Sequence, residues 1–234
     1  MQPPKAMFFD VFGTLVDWRS SIAREAETIL KPLGYSLDWL AFADAWRDQY
    51  QPAMERIRSG QMSFCKLDVL HRGNLERILP VFKISGLSEE VMRNLNLAWH
   101  RLDAWPDSAP GLARLKKACR LAPVSNGNIS LMVDLARRNN FPWDAILGSE
   151  IAGDFKPKPR VYLAACEALD SEPKLTWMVG DDIEEDIAGA QRVGMRTVLV
   201  RTGKFRPDDV ESSRATPDGI VSSIAQLPEW LEAH

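Results

Sequence analysis

The sequence predicts an α/β protein: a Rossmann-like, mostly parallel sheet core with an inserted helical cap domain. Three observations predict it. Short apolar runs at 5–11, 121–124, 145–148, 176–179 and 197–200 are followed for the most part by polar turns and helical patterns. Runs apolar on both faces and alternating with helices belong to parallel sheets. Between the first and second runs lie about 110 residues, against the dozen or so that a crossover needs, and their pattern is helical throughout.

Each element has a local reason. The first run ends at Asp10-Val11-Phe12-Gly13-Thr14, where the glycine supplies a turn. The insert offers helices at 20–33, ended near Gly34, then at 38–59, 64–79 and 88–102, and Ser88-Glu89-Glu90 is a polar start signal for the last. Trp105-Pro106 and a helix at 108–119 return the chain to the sheet. The second run ends at Ser125-Asn126-Gly127, and Leu131 and Leu135 face inward from a helix at 129–139. Val161, Ala164, Ala165 and Leu169 give helical spacing at 159–169. A helix at 183–193 follows Gly180-Asp181-Asp182. Residues 202–217, rich in Gly, Pro, Ser and Asp, read as a surface excursion, and Pro228 limits a closing helix at 224–231 to a turn or two. The division expected is core at 1–15 and 100–234, with the cap at 16–99.

Composition narrows the function classes. At 234 residues the chain can bury roughly 70% of its unfolded surface, so its core needs no disulfide or metal staple. A net charge of −3 gives no footprint for nucleic acid, so no such partner is expected. No apolar run approaches 18 residues, so no membrane partner is expected either. The N-terminus lacks the pattern of a signal peptide, and Cys65, Cys119 and Cys166 are odd in number and far apart. Both features point to a reducing, cytoplasmic location.

In an open parallel sheet, ligands bind beyond the carboxyl ends of the strands. Four polar clusters fall there: Asp10, Ser125-Asn126, Lys156, and Asp181-Asp182 with Asp186. Taken singly, each could be a helix cap or a solvated loop residue. Their convergence on one edge argues for a site. Rival chemistries lack their residues. There is no Gly-x-Ser-x-Gly elbow and no Gly-x-Gly-x-x-Gly turn, and His71, His100 and His234 all lie away from predicted strand ends. A carboxylate nucleophile, a lysine and further carboxylates remain.

With Phe9-Asp10-Val11-Phe12-Gly13-Thr14-Leu15-Val16, Ser125-Asn126-Gly127, Lys156-Pro157 and Gly180-Asp181-Asp182 through Asp186, the chain resembles the haloacid dehalogenase superfamily over essentially its whole length. Within it, the L-2-haloacid dehalogenases of type II are most similar. They carry an aromatic residue where Phe12 stands, whereas superfamily phosphatases usually have a general-acid aspartate. Trp46-Arg47-Asp48-Gln49-Tyr50, Asn128, Phe155 and Tyr162 also fit the dehalogenase pattern. The fourth motif differs. Asp181 stands where dehalogenases tend to have an uncharged polar residue, and with Thr202-Gly203-Lys204-Phe205 it resembles magnesium phosphatases of small metabolites.

The resemblance implies hydrolytic dehalogenation of short (S)-2-haloalkanoic acids through an ester of Asp10, without a cofactor. Lys156 would keep Asp10 ionised, and Asp186 would activate water. Thr14 would brace the Asp10 loop, and Ser125 and Asn126, with the backbone near Val11 and Phe12, would hold the substrate carboxylate. Arg47 would stabilise the leaving halide. Phe12, Tyr50, Tyr162 and Trp46 would line the substrate, with cap-core packing as the alternative for Trp46. The alternative activity is a Mg²⁺-dependent phosphatase, with Asp10, the Phe12 carbonyl and Asp181 as ligands. Either way the partner is a small anionic substrate, and the resemblance allows a homodimer. A scaffold that has lost turnover is argued against by intact Asp10, Thr14 and Lys156.

Overall fold

A computed structural model describes residues 4–201 and 215–233. The chain forms two compact units: Met1–Val16 with Ala104–His234, and Asp17–Asp103. Against the expected limits at 15/16 and 99/100, the boundaries fall at 16/17 and 103/104. The reason for the second shift is packing. Trp99, fully buried, lies in a 3-10 turn (Leu97–Arg101) and stacks on Trp18 of the helical unit. The expected excursion at 202–217 lies largely outside the described residues, as do Thr202, Gly203, Lys204 and Phe205.

In the first unit, β1 (Ala6–Phe9) is buried at every position. It is flanked by β4 (Arg120–Ser125) and β6 (Thr176–Gly180), both parallel to it. Beyond these lie β5 (Leu147–Gly148), β7 (Arg196–Val200) and β8 (Gly219–Val221). The order is β5-β4-β1-β6-β7-β8, so successive connections reverse direction beside β1. Because every pairing is parallel, the carboxyl ends share one edge, and Asp10, Ser125 and Asp181 lie at it. β8 has no counterpart among the expected strands. It is three residues long and opens on Gly219, where a side chain would meet the Trp230 ring.

Helices pack on this sheet. α7 (Ile129–Asn139) buries Leu131, Met132 and Leu135, and ends on Asn140 in the left-handed region. α9 (Pro159–Ala168) buries Val161, Tyr162, Ala165 and Cys166. The expected helix at 183–193 is instead a π-helical turn (Ile183–Ala188) that continues into one short α-turn. An inserted residue of this kind re-aims side chains and is common at functional sites.

The second unit is helical. α1 (Trp18–Leu30) begins two residues before the expected start because Asp17 caps it, its side chain accepting from the Ser20 N–H. The expected helix at 38–59 is two, α2 (Trp39–Asp48) and α3 (Tyr50–Arg58), which meet at Gln49. Pro52 explains the break, since it has no N–H for the Asp48 carbonyl and its ring crowds that group. α4 (Leu67–Ile78) and α5 (Glu89–Asn96) complete the unit, and Ser88 caps α5 as expected. Trp46, Trp99 and Phe42 form its centre with His71, whose ring stacks on Trp99 at 4.2 Å. Among the described residues, no helix is long and apolar enough to cross a membrane.

Candidate active site

Asp10 leaves β1 with its N–H bonded to the Val179 carbonyl of β6, which fixes where the side chain emerges. Each carboxylate oxygen has a partner. Lys156 Nζ donates to Oδ1 at 2.8 Å, and the Thr14 hydroxyl lies 3.1 Å from Oδ2. Thr14 comes within reach because Gly13 turns the chain at φ +101°. Its hydroxyl also accepts from the Asp181 N–H at 3.0 Å and lies 2.7 Å from Asp181 Oδ1. Thr14 therefore joins the first motif to the fourth. Phe12 is 4% exposed, and its ring lies close to Gly127.

Lys156 is 1% exposed, and its ammonium also meets Asp186 Oδ1, at 2.6 Å. Burial pulls its pKa down, but the charges of Asp10, Asp186 and Glu185 outweigh this and hold it well above the ordinary lysine value. Asp186 is fully buried, and its other oxygen accepts from the Asp182 N–H at 3.1 Å. Burial raises the Asp186 pKa well above the carboxylate range; Lys156 opposes the rise, while Asp10, Asp182 and Asp181 add to it. Carboxylates outnumber the ammonium here, so one carboxyl takes the burden. Gly180 makes room for it, since a Cβ there would lie 2.1 Å from Asp186 Oδ2.

The two aspartates of the Gly-Asp-Asp motif separate. Asp182 is exposed and caps the π-turn, accepting from the N–H groups of Glu184 and Glu185. Asp181 turns the other way. Asp10, Asp181 and Asp186 each offer an oxygen within 4.8 Å of the others, a donor set whose hard oxygens fit Mg²⁺.

Ser125 and Asn126 are buried at the end of β4. Ser125 Oγ accepts from the Gly127 N–H at 3.1 Å, which fixes the turn. Asn126 Oδ1 accepts from the Lys156 N–H at 2.9 Å and from the Ser149 hydroxyl at 3.0 Å, while its Nδ2 donates to Glu185 Oε2 at 3.0 Å. Glu185 and Ser149 are site-supporting residues that sequence reasoning missed. Glu185 reads as one more charge in an acidic run, and nothing in the spacing shows that the π-turn buries it.

Other expected residues take different places. Tyr162, expected at the substrate, is fully buried behind the fourth motif, where its hydroxyl donates to the Glu185 carbonyl. That burial raises its pKa. Val11 is 1% exposed, and its carbonyl accepts from the N–H groups of Leu15 and Val16, so its side chain is core and its backbone shapes the loop. In the helical unit Trp46 takes the packing alternative. It is 1% exposed, and its indole N–H donates to the His71 carbonyl. Arg47 is half-buried, its guanidinium 3.8 Å above the Tyr50 ring centre and 5.4 Å from that of Trp18.

Comparison with known proteins agrees with this constellation. Residues 155–227 match the family model described as HAD-hyrolase-like. Over 85 residues the chain is 44% identical to the phospholysine phosphohistidine inorganic pyrophosphate phosphatase of Xenopus laevis, covering 36% of this chain but 31% of that enzyme. The chain thus spans about a third of the length of that relative. It is 30% identical to (S)-2-haloacid dehalogenase 1 of Pseudomonas sp. (strain CBS-3), over 99% of this chain and 98% of the other. The crystal structure of the L-2-haloacid dehalogenase PA0810 superposes with a TM-score of 0.90 at 37% identity, covering 99% of this chain and 100% of that one. With its Asp10–Lys156–Asp186 core intact and its likeness running end to end, the chain belongs to the L-2-haloacid dehalogenases of the haloacid dehalogenase superfamily.

Proposed function

We propose that the protein hydrolyses the carbon–halide bond of short (S)-2-haloalkanoic acids. One observation carries the reading: the Lys156 ammonium lies between Asp10, at 2.8 Å, and Asp186, at 2.6 Å, so a nucleophile and a base share one buried cation. The ammonium donates to one Asp10 oxygen and so fixes the position of the nucleophile. An Asp10 oxygen attacks C2, the carbon–halogen bond breaks, and its electron pair leaves as halide. The product of this step is an ester between Asp10 and the substrate. Asp186 then takes a proton from water, and the hydroxide adds to the carbonyl carbon of the Asp10 ester. That carbonyl collapses to release a 2-hydroxy acid and restore the carboxylate. C2 is attacked once, so the product has inverted configuration. A carboxyl with a raised pKa is the stronger base, which suits Asp186 to the second step.

Ser125 and Asn126 serve the substrate carboxylate, and the always-charged guanidinium of Arg47 serves the departing halide. Phe12 supplies apolar surface beside Asp10. No cofactor takes part in this chemistry.

A second reading rests on the cluster of Asp10, Asp181 and Asp186 and on the likeness to a phosphatase over 85 residues. Here Asp10 would attack phosphorus instead of carbon. Asp10, Asp181 and the Phe12 carbonyl would hold Mg²⁺, which supplies charge neutralisation for a phosphoryl group. Phe12 stands where that reading needs a proton donor, so this chemistry would favour acidic leaving groups. Assay of EDTA-treated protein with (S)-2-chloropropionate, and of Mg²⁺-loaded protein with phosphate esters, separates the two.

A further inference from the structure

Glu185 is a buried carboxylate, 8% exposed, that takes no step in the chemistry above. Every part of it is nonetheless tied down. Its N–H donates to Asp182 Oδ1 at 2.7 Å, its carbonyl accepts from the Tyr162 hydroxyl, and its side chain accepts from Asn126 Nδ2 at 3.0 Å. The approach of Tyr162 depends on Gly189, where a Cβ would lie 2.2 Å from the hydroxyl. One residue thus links the turn after β4, the helix α9 and the π-turn that carries Asp186.

The chemistry of the bonded groups fixes how the Asn126 amide is oriented. A backbone N–H can only donate, and an ionised carboxylate can only accept. Lys156 N–H therefore needs the amide oxygen, and Glu185 needs the amide nitrogen. Ser149 suits either end. Held from both sides, the amide has one orientation, and its oxygen anchors the backbone of the lysine that bridges Asp10 and Asp186.

We propose that Glu185 is a positioning residue: it latches Asn126, and through Asn126 the Lys156 backbone, so that the ammonium sits between Asp10 and Asp186. The kinetic arm rests on the dehalogenase reading; the latch itself does not. Carboxamide and carboxylate oxygens accept equally here, so Glu185→Gln keeps the latch and Glu185→Ala removes it.

The test compares wild type, Glu185→Gln, Glu185→Ala and Tyr162→Phe. Steady-state halide release from (S)-2-chloropropionate is measured alongside exchange of the Asn126 side-chain amide protons by NMR. A misplacement near 1 Å costs on the order of 100-fold in rate, so Glu185→Ala should lose about 10- to 100-fold in kcat. Its KM should change less. Glu185→Gln should stay within about threefold of wild type, and Tyr162→Phe should fall between, by the same argument. The Asn126 protons should exchange slowly in wild type and Glu185→Gln, and fast in Glu185→Ala. If Glu185→Ala does not fold, Tyr162→Phe and Glu185→Gln carry the comparison. Wild-type kcat in folded Glu185→Ala or in Tyr162→Phe overturns the proposal. So does a Glu185→Gln enzyme as impaired as Glu185→Ala, which would make the charge the functional feature. Wild type that releases no halide defeats the dehalogenase reading alone, and amide exchange then decides the latch.

Discussion

Lys156 and Asp10 form a buried ion pair at 2.8 Å between side chains 146 positions apart. The pair joins the loop before α9 to the end of β1. Replacing Lys156 by Met leaves Asp10 and Asp186 facing each other without a cation. Removing one partner of a buried pair costs about 3–5 kcal/mol. The expected outcome is a clear fall in Tm together with loss of turnover, read by calorimetry and halide release. Unchanged Tm would show that water screens the pair.

The acid limb of the rate profile should report Asp186. Its carboxyl is raised well above the ordinary range by burial, so it protonates as pH falls sooner than an exposed aspartate would. As a base it is active above its pKa and lost below it. A kcat profile that declines on acidification before the ordinary carboxylate range is reached is expected. A flat profile down to the ordinary range would contradict this.

Gly180→Ala tests the fit of Asp186 from the other side. The added Cβ would lie 2.1 Å from Asp186 Oδ2, so the carboxylate must move off Lys156. A loss of about tenfold or more in kcat is expected, since rate is sensitive to ångström shifts. A variant with wild-type kinetics would mean that the turn relaxes without cost.

Arg47→Lys separates planar stacking from charge. The guanidinium lies over Tyr50 at 3.8 Å, a contact of about 0.5–2 kcal/mol that an ammonium on a flexible stem does not reproduce. Lysine keeps the charge but not the placement, so kcat/KM for the haloacid should drop by about tenfold. Equal kinetics would assign Arg47 to the structure of the helical unit.

His71 should make the helical unit acid-sensitive. Burial lowers its pKa from 6.5 to about 3. The unfolded chain then binds more protons than the folded one between those values. Stability is complete above the unfolded pKa and falls as pH drops through the window, by up to about 1.4 kcal/mol per pH unit. His71→Phe should lose less Tm than wild type between about pH 7 and pH 5. Equal losses would place the sensitivity elsewhere.

Much of the core was legible because its signals are local. Asp10, Ser125, Asn126 and Asp186 each follow an apolar run, and parallel pairing carries strand ends to one edge. Lys156 was legible through its motif, but its place between two aspartates is a tertiary fact. The break at Gln49 was readable from Pro52, yet the hydrophobic spacing across it stays helical and hides it. The π-turn was not readable. One extra residue in a helix leaves composition unchanged while moving Glu185 from surface to interior. Tyr162 and Trp46 share a limit of another kind: an aromatic residue in a motif reads the same whether it lines a site or supports it from behind.

The most direct test of the central claim is halide release from (S)-2-chloropropionate by EDTA-treated protein, with Asp10→Asn beside it. The account predicts chloride and the inverted 2-hydroxy acid from wild type and none from Asp10→Asn. Chloride release undiminished in Asp10→Asn, or absent from wild type that hydrolyses phosphate esters once Mg²⁺ is added, would contradict it.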